Sequence, residues 1–388
     1  MVAGMTFKFL NALSPLALLA ASCGSPAAGD SAKPAAAEVK DAFKVEVLET
    51  FDEPWALAVL PNREILVTER AGKLKISSES LHRWSEVSGT PTVDYGGQGG
   101  LGDVAIPPGP QPLTFVATQP IYLSWVEAGP SGTRGAVIGA GLLIPGSNPE
   151  LNNFHIIWRQ DPKVTGRGHF SHRIAFSPDG KYLFLSSGER QKFTPAQDLT
   201  NNLGKVLRLN LDGTPAAGNP FASKGGVSAQ IWSYGHRNLL GLQFDASGQL
   251  WDLEHGPAGG DELNRIEPGK NYGWPLVSDG DNYDGSPIPR NSTRPDLAQP
   301  AISWNPVIAP GDFIFYSGKL WPEWKGQALI AGMGYPGLVR VRIDRERGRE
   351  EARYPLGKRI REIREAPDGS LLLLEDGKGG RLLRLTRK

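Results

Sequence analysis

Cysteine is almost missing from this chain. Cys23 is the only one in 388 residues, which excludes an intramolecular disulfide. An excess of either charge is missing too. With 42 Lys and Arg against 41 Asp and Glu, the net charge is +1, so nothing points to nucleic acid or to a strongly acidic partner. Long helical patterns are few, and beyond the N-terminus no segment is apolar enough to cross a bilayer. Turn chemistry, in contrast, is plentiful. Forty-eight Gly and 32 Pro favour many short strands and tight turns. A chain of this length suits two ordinary domains or one large β domain.

The N-terminus stands apart in composition. Lys8 precedes an apolar stretch, Phe9 to Ala21, that is too short to span a bilayer and ends in small residues. Leu19-Ala20-Ala21-Ser22-Cys23 resembles a bacterial lipobox, whose cysteine becomes a lipidated N-terminus. Residues 1–23 are therefore read as a lipoprotein-type signal peptide, with a plain signal peptide as the alternative. Residues 24–40, rich in Ala, Pro, Ser and Gly, read as a flexible linker. The expectation is an exported chain, periplasmic or anchored to a bacterial outer membrane only through an N-terminal lipid. The folded domain is expected over 41–388.

A degenerate repeat runs along that domain. Alternating apolar residues lead into a Pro/Asp/Asn/Gly turn and then a second β-rich run. Leu57 to Asn62 leads into Ile65-Leu66-Val67, and Ile174 to Gly180 into Tyr182 to Leu185. Leu242 to Gly248 leads into Leu250-Trp251, and Glu365 to Gly369 into Leu371 to Leu374. Leu101 to Val126 and Ile308 to Val341 are weaker copies. One such unit cannot bury its apolar faces, whereas a ring of about six can, with little strand edge left exposed. The expected fold is all-β, a six-bladed β-propeller, with a pair of β-sandwiches as the alternative.

The richest stretch is Ile231 to Pro275. It contains Ser-Tyr-Gly-His-Arg-Asn at 233–238, Glu-His-Gly-Pro at 254–257, Gly-Gly-Asp-Glu-Leu-Asn at 259–264 and Gly-Lys-Asn-Tyr-Gly-Trp-Pro at 269–275. So many Gly, Pro, His and charged residues suit turn backbone shaped around a ligand. Their order resembles the soluble quinoprotein aldose dehydrogenases, the glucose/sorbosone dehydrogenase family, which use pyrroloquinoline quinone (PQQ). Pro54-Trp55-Ala56-Leu57-Ala58, Gly97-Gln98-Gly99-Gly100-Leu101, His169-Phe170-Ser171-His172-Arg173, Leu203-Gly204-Lys205 and Arg359-Ile360-Arg361 match in the same order. The resemblance runs from about Lys44 to Leu385 and implies the same propeller fold.

It also implies roles. His169 matches the general base that takes the sugar hydroxyl proton as hydride passes to the quinone, a task suited to imidazole. Arg237 and Asn238 match residues that bond quinone and carboxylate oxygens, with the cation stabilising charge that develops on reduction. Gln98 matches a further cofactor contact, and Arg359 and Arg361 match arginines that pair with cofactor carboxylates. Calcium is implied twice: at the main-chain carbonyls of Gly256 and Pro257, and at the Glu262 carboxylate with the Tyr272 carbonyl. The implied partner is a small-molecule sugar, with an electron acceptor that the residues do not name. Trp274, Tyr283 and Trp304 could stack on a pyranose or simply pack.

Two departures fall near the expected cofactor carboxylates. The glucose-oxidising branch carries a lysine in the fifth-blade loop, where this chain has Ala331-Gly332-Met333-Gly334-Tyr335-Pro336. After the last apolar strand the usual Thr-Asp is replaced by Glu375-Asp376. At 4 Å and an effective dielectric of 20, a facing carboxylate would cost about 4 kcal/mol, roughly a thousandfold in affinity. Glu375 is expected to point away or to be bridged by Arg361 or Lys378. These departures keep open a second class of function, a cofactor-free propeller that binds carbohydrate or a protein partner. A propeller lactonase fits less well, for want of inward carboxylates. The calcium-loop look-alike at 279–285 lacks the required Gly and Glu spacing and reads as a turn. His169 and His172 would pair on zinc only in a helix, and their segment reads as a strand.

Overall fold

The computed structural model describes residues 42–109 and 118–388; the expected signal segment and linker lie outside the described residues. After β1 (Lys44–Asp52) the chain lays down sheets of four antiparallel strands. Blade one holds β2 (Pro54–Val59), β3 (Ile65–Glu69), β4 (Lys73–Ser77) and β5 (Trp84–Val87). Blade two holds β6 (Leu101–Ala105), β7 (Gln119–Ala128), β8 (Arg134–Ile144) and β9 (Glu150–Arg159). Blade three follows with β10 (Ser171–Phe176), β11 (Tyr182–Ser187), β12 (Lys205–Asn210) and β13 (Ile231–Tyr234). In blade four are β14 (Leu239–Phe244), β15 (Leu250–Glu254), β16 (Asp261–Arg265) and β17 (Ile302–Trp304). Blade five comprises β18 (Pro310–Phe315), β19 (Ala328–Gly332), β20 (Gly337–Asp344) and β21 (Arg347–Pro355). The last blade takes β22 (Ile360–Glu365), β23 (Leu371–Glu375) and β24 (Lys378–Thr386), and β1 completes it by pairing antiparallel with β24.

The first strands of the blades touch in cyclic order, β2 to β6, β10, β14, β18, β22 and back to β2, so the ring is closed. This is a six-bladed β-propeller, and the sandwich alternative falls. No helix among the described residues is long and apolar enough to cross a membrane.

The strand periodicity works differently from a simple inside and outside. Leu371 and Leu373 pack into a cluster shared with blade five, while Leu372 and Leu374 pack into one shared with blade one. Successive side chains point to opposite faces, and here each face meets a different neighbour. The apolar core is accordingly divided into layers between adjacent blades. The second strand of blade six therefore reads as an unbroken run of four leucines, and the polar alternation survives on outer strands such as β21.

The first hairpin of each unit is the repeat seen in the sequence. In blade four, Asp245 N–H donates to Gln249 O (2.9 Å) and Gly248 N–H to Asp245 O (3.0 Å). Blade six does the same with Ala366, Ser370 and Gly369. Gly248 (φ +83°) and Gly369 (φ +87°) sit in the left-handed region that closes such three-residue loops.

Candidate active site

Every inner strand starts at one mouth of the ring and runs away from it, so the first hairpin turns lie at the far end. At the mouth all six inner strands lose register within their first rungs: between Pro54 and Ala56, Leu101 and Val104, Ser171 and Ile174, Leu239 and Gly241, Pro310 and Asp312, and Ile360 and Glu362. A bulge re-aims the extra side chain out of the pleat. The residues thus released include Trp55, His172, Leu240 and Arg361, which line one cavity of about 190 Å³ at the axis. Arg70, Gln98, His255, Met333 and Arg359 complete its wall.

His169 sits just ahead of β10, buried and with φ at +49°. Its Nδ1 meets Glu189 Oε1 at 2.5 Å, and its main-chain N–H donates to Gln98 Oε1 at 2.7 Å. A carboxylate can only accept, so Nδ1 carries the proton and Nε2 is left bare. Burial holds His169 below the usual imidazole range, with Arg237 acting in the same direction and the Glu189 bond opposing. Burial also works against the charge of Glu189, but His169 and the N–H groups of Phe193 and Lys192 outweigh it and keep the carboxyl low. His169, Ser171, His172, Arg190, Gln191 and Phe193 all hold positive φ. Such strain in non-glycine residues collects at functional sites.

Arg237 and Asn238 precede β14. The Glu189 N–H donates to Arg237 O at 3.0 Å, which ties the two loops together. The Arg237 guanidinium donates to His255 O (3.0 Å) and Tyr283 Oη (3.1 Å), lies 5.1 Å from the Trp274 ring, and keeps a buried Nε–H without a partner. Asn238 accepts from Ser171 Oγ at 3.3 Å. His255 donates from Nε2 to Pro310 O at 2.6 Å, and burial pulls its pKa down to about 3, so it is neutral. His172 is neutral as well, for the same cause; its ring stacks on Trp55 and its Nδ1 meets Ser124 Oγ at 2.7 Å.

The expected calcium positions lie beside this. Gly256 N–H donates to Asp261 Oδ1 at 2.9 Å, and a Cβ at Gly256 would stand 2.1 Å from Gly259 O and 2.3 Å from Gly260 O. Only glycine lets this carbonyl-rich turn close. Among the described residues, no main-chain hydrogen bond reaches the carbonyls of Gly256 or Pro257, so both lone-pair sets suit a hard cation. Glu262 is buried, accepts from Asn291 Nδ2 at 2.6 Å, and is pushed up to about 8 by burial and by Glu254. It lines a small void with Tyr272 and Gly256. A carboxylate so disfavoured fits a cation partner.

The two departures resolve differently. Glu375 pairs with Arg381 (2.7 and 2.5 Å), not with Arg361 or Lys378, and does not line the cavity. Asp376 is the carboxylate that engages both expected arginines, at 2.8 Å to Arg359 Nε and 2.7 Å to Arg361 Nη2. Met333 is buried in the cavity wall with its Sδ 3.5 Å from Arg359 Nη2. A third guanidinium, Arg70, closes the Val67-Thr68-Glu69-Arg70 motif that also matches the family; it bonds Gly97 O and Gly99 O (3.1 Å), on either side of Gln98. Of the three candidate aromatics, Trp304 takes the packing alternative, lying between blades four and five and donating to Glu350. Phe193 stacks on Trp274 at 5.6 Å, and Tyr283 is 78% exposed at the rim. Residues 282–286 form a turn, as the motif spacing implied.

Glu189, His172, His255 and Arg70 join the candidate site without a role assigned from the sequence. His172, His255 and Arg70 lie inside the matching motifs, whereas Glu189 needs the fold to bring it to His169.

Known proteins place this geometry. Residues 51–384 match the Glucose / Sorbosone dehydrogenase family. The chain is 37% identical over 350 residues to the aldose sugar dehydrogenase YliI of Escherichia coli (strain K12), across 88% of this chain and 92% of that one. The apo-form crystal structure of the soluble Escherichia coli aldose sugar dehydrogenase superposes with a TM-score of 0.83 at 36% identity, covering 89% and 100% of the two chains. The PQQ-bound aldose sugar dehydrogenase of Streptomyces coelicolor superposes at 0.68 and 26% identity, covering 92% and 100%. With its bulged inner strands, its axial cavity and a match across nearly all of the propeller, the chain belongs to the glucose/sorbosone dehydrogenase family.

Proposed function

We propose that this chain oxidises aldose sugars with PQQ and calcium, His169 acting as general base. The observation that carries the reading is the His169–Glu189 pair, joined through the Glu189 N–H to Arg237 O and through Gln98 to the wall of a cavity that Arg70, Arg359 and Arg361 also line. PQQ, when bound, would supply a hydride acceptor, and calcium would supply Lewis-acid activation. The protein's own residues do the rest. Glu189 fixes the tautomer that leaves His169 Nε2 free to take the anomeric hydroxyl proton, and it stabilises the imidazolium that results. Arg237 would stabilise the charge that develops on reduction. Arg359 and Arg361, with Asp376 between them, would hold the carboxylates of the cofactor. Gly256 and Pro257 would hold the ion at the cofactor, and Glu262 with the Tyr272 carbonyl a structural one. Trp274, Phe193 and Tyr283 offer apolar faces to a pyranose. In the same reading the chain is exported and held by a lipid on Cys23, and its electron acceptor meets it at the open mouth.

Absorbance titration of the apo chain with PQQ, with and without calcium, tests this. Saturable binding that needs calcium, with dye-linked oxidation of aldoses, is expected. His169→Gln should lose roughly a hundredfold or more in kcat while binding PQQ as the parent does. An intact fold that does not bind PQQ would leave the cofactor-free propeller as the reading.

A further inference from the structure

We propose that blade four holds a buried transition-metal ion of the zinc class, ligated by His236 Nδ1, Asp252 and Glu254 and distinct from both expected calcium positions. The pairing of β15 with β16 sets Asp252 opposite Asn264 and Glu254 opposite Glu262. Because strand side chains repeat every second residue, all four share one face. His236 reaches that face from the loop before β14. His236, Asp252 and Asn264 are 0% exposed.

Three carboxylates therefore meet in the interior, and the side-chain and main-chain donors among them are few. Asn264 Nδ2 serves Glu254 (3.1 Å), Asn291 Nδ2 serves Glu262 and the Arg237 N–H serves Glu254 (2.7 Å). The Arg237 guanidinium is turned to His255 O and Tyr283. Both oxygens of Asp252 and the Oδ1 of Asn264 are buried without any hydrogen-bond partner. A buried carboxylate left in that state is costly, and a cation is the direct remedy.

The histidine is poised for it. Ser233 Oγ sits 2.8 Å from His236 Nε2, so a proton on Nε2 leaves the Nδ1 lone pair facing the carboxylates. Nδ1 lies 3.2 Å from Glu254 Oε1 and 3.4 Å from Asp252 Oδ2, and the three ligand atoms all fall within 4.8 Å of one another. A tetrahedral ion with ligands at about 2.0 Å has edges of about 3.3 Å. Asn264 Oδ1 is a candidate fourth ligand, and the Tyr272 ring covers His236 at 4.6 Å. An imidazole in the set favours zinc-class ions over calcium, which takes oxygens. Glu262, the expected calcium ligand, stands directly opposite Glu254 on the ladder and is held by Asn291 Nδ2 at 2.6 Å and Asn264 Nδ2 at 3.4 Å.

The test needs neither PQQ nor sugar, so it is independent of the catalytic reading. The chain is unfolded, refolded with excess zinc and calcium, dialysed, and its metals are counted. About one zinc per chain is expected; Asp252→Asn and His236→Gln should each bring zinc below about a tenth while calcium is kept. Should a variant fail to fold, refolding the parent with cobalt should give the visible absorption of a tetrahedral ion bound through nitrogen and oxygen. No retained zinc and no such absorption, retention of calcium alone, or equal zinc in Asp252→Asn would overturn the site and leave a proton shared between His236 and the two carboxyl groups.

Discussion

His169 can act as a base only while Nε2 is unprotonated, and its surroundings keep it so at neutral pH. Burial and Arg237 lower its pKa from 6.5, so kcat/KM should rise with pH through a midpoint below that value and be flat at pH 7. Glu189→Gln removes the one influence that raises the His169 pKa. The midpoint should then move to still lower pH, while the plateau falls by roughly a hundredfold because the imidazolium loses its counter-charge. A pH–rate profile of both proteins checks this, and a midpoint that moves upward would refute the pairing. Asp376 is the other residue whose charge matters. It occupies Arg359 and Arg361, so Asp376→Asn should free both cations and tighten PQQ binding by about tenfold, near 1.4 kcal/mol. Weaker binding in the titration would mean that Asp376 orients the arginines more than it competes for them.

Among the elements, the bulges at the head of the inner strands matter most. In a regular strand Trp55 and Ala56 would point to opposite blades; the register shift instead lets Trp55, His172, Leu240 and Arg361 turn toward the axis. The Gly256 turn is the matching device at the small void that it lines with Glu262 and Tyr272. Gly256→Ala would drive a Cβ into main-chain oxygens at 2.1 and 2.3 Å, which cannot yield as a side-chain end could. Calcium affinity in that variant should fall at least about tenfold, near 1.4 kcal/mol, with the ring intact by circular dichroism. Unchanged calcium titration would remove the turn from the binding site.

One side chain touches all six blades. Arg173 leaves β10 in blade three, lies 4.0 Å from the Trp55 ring of blade one, and approaches Asp103 of blade two at 3.5 Å. It donates to Leu240 O of blade four (2.7 Å) and Gly311 O of blade five (2.9 Å), and pairs with Glu362 of blade six at 2.7 Å. Arg364 joins the same axial network through Asp312 and Glu362. Removing one partner from a buried ionic network costs about 3–5 kcal/mol because the remaining charges are stranded. Arg173→Met should lose stability of that order in urea titration, with one transition for all blades. A change under about 1 kcal/mol would show that the axis contributes little to holding the ring.

The sequence alone determined the repeat, because period-two apolar runs and glycine turns are local. It also determined the chemistry-bearing motifs, because His169, Arg237, Gly256 and Arg361 sit in short ordered signatures. Tertiary structure decided what those residues meet. Glu189 follows His169 by 20 residues and becomes its partner only through the β10–β11 hairpin, and Glu375 was turned to Arg381 while Asp376 took the arginines. The assignment of each strand face to a different neighbouring blade, and of Arg173 to all six, also required the closed ring. Local pattern sets which residues alternate, but only long-range packing sets what lies across from them.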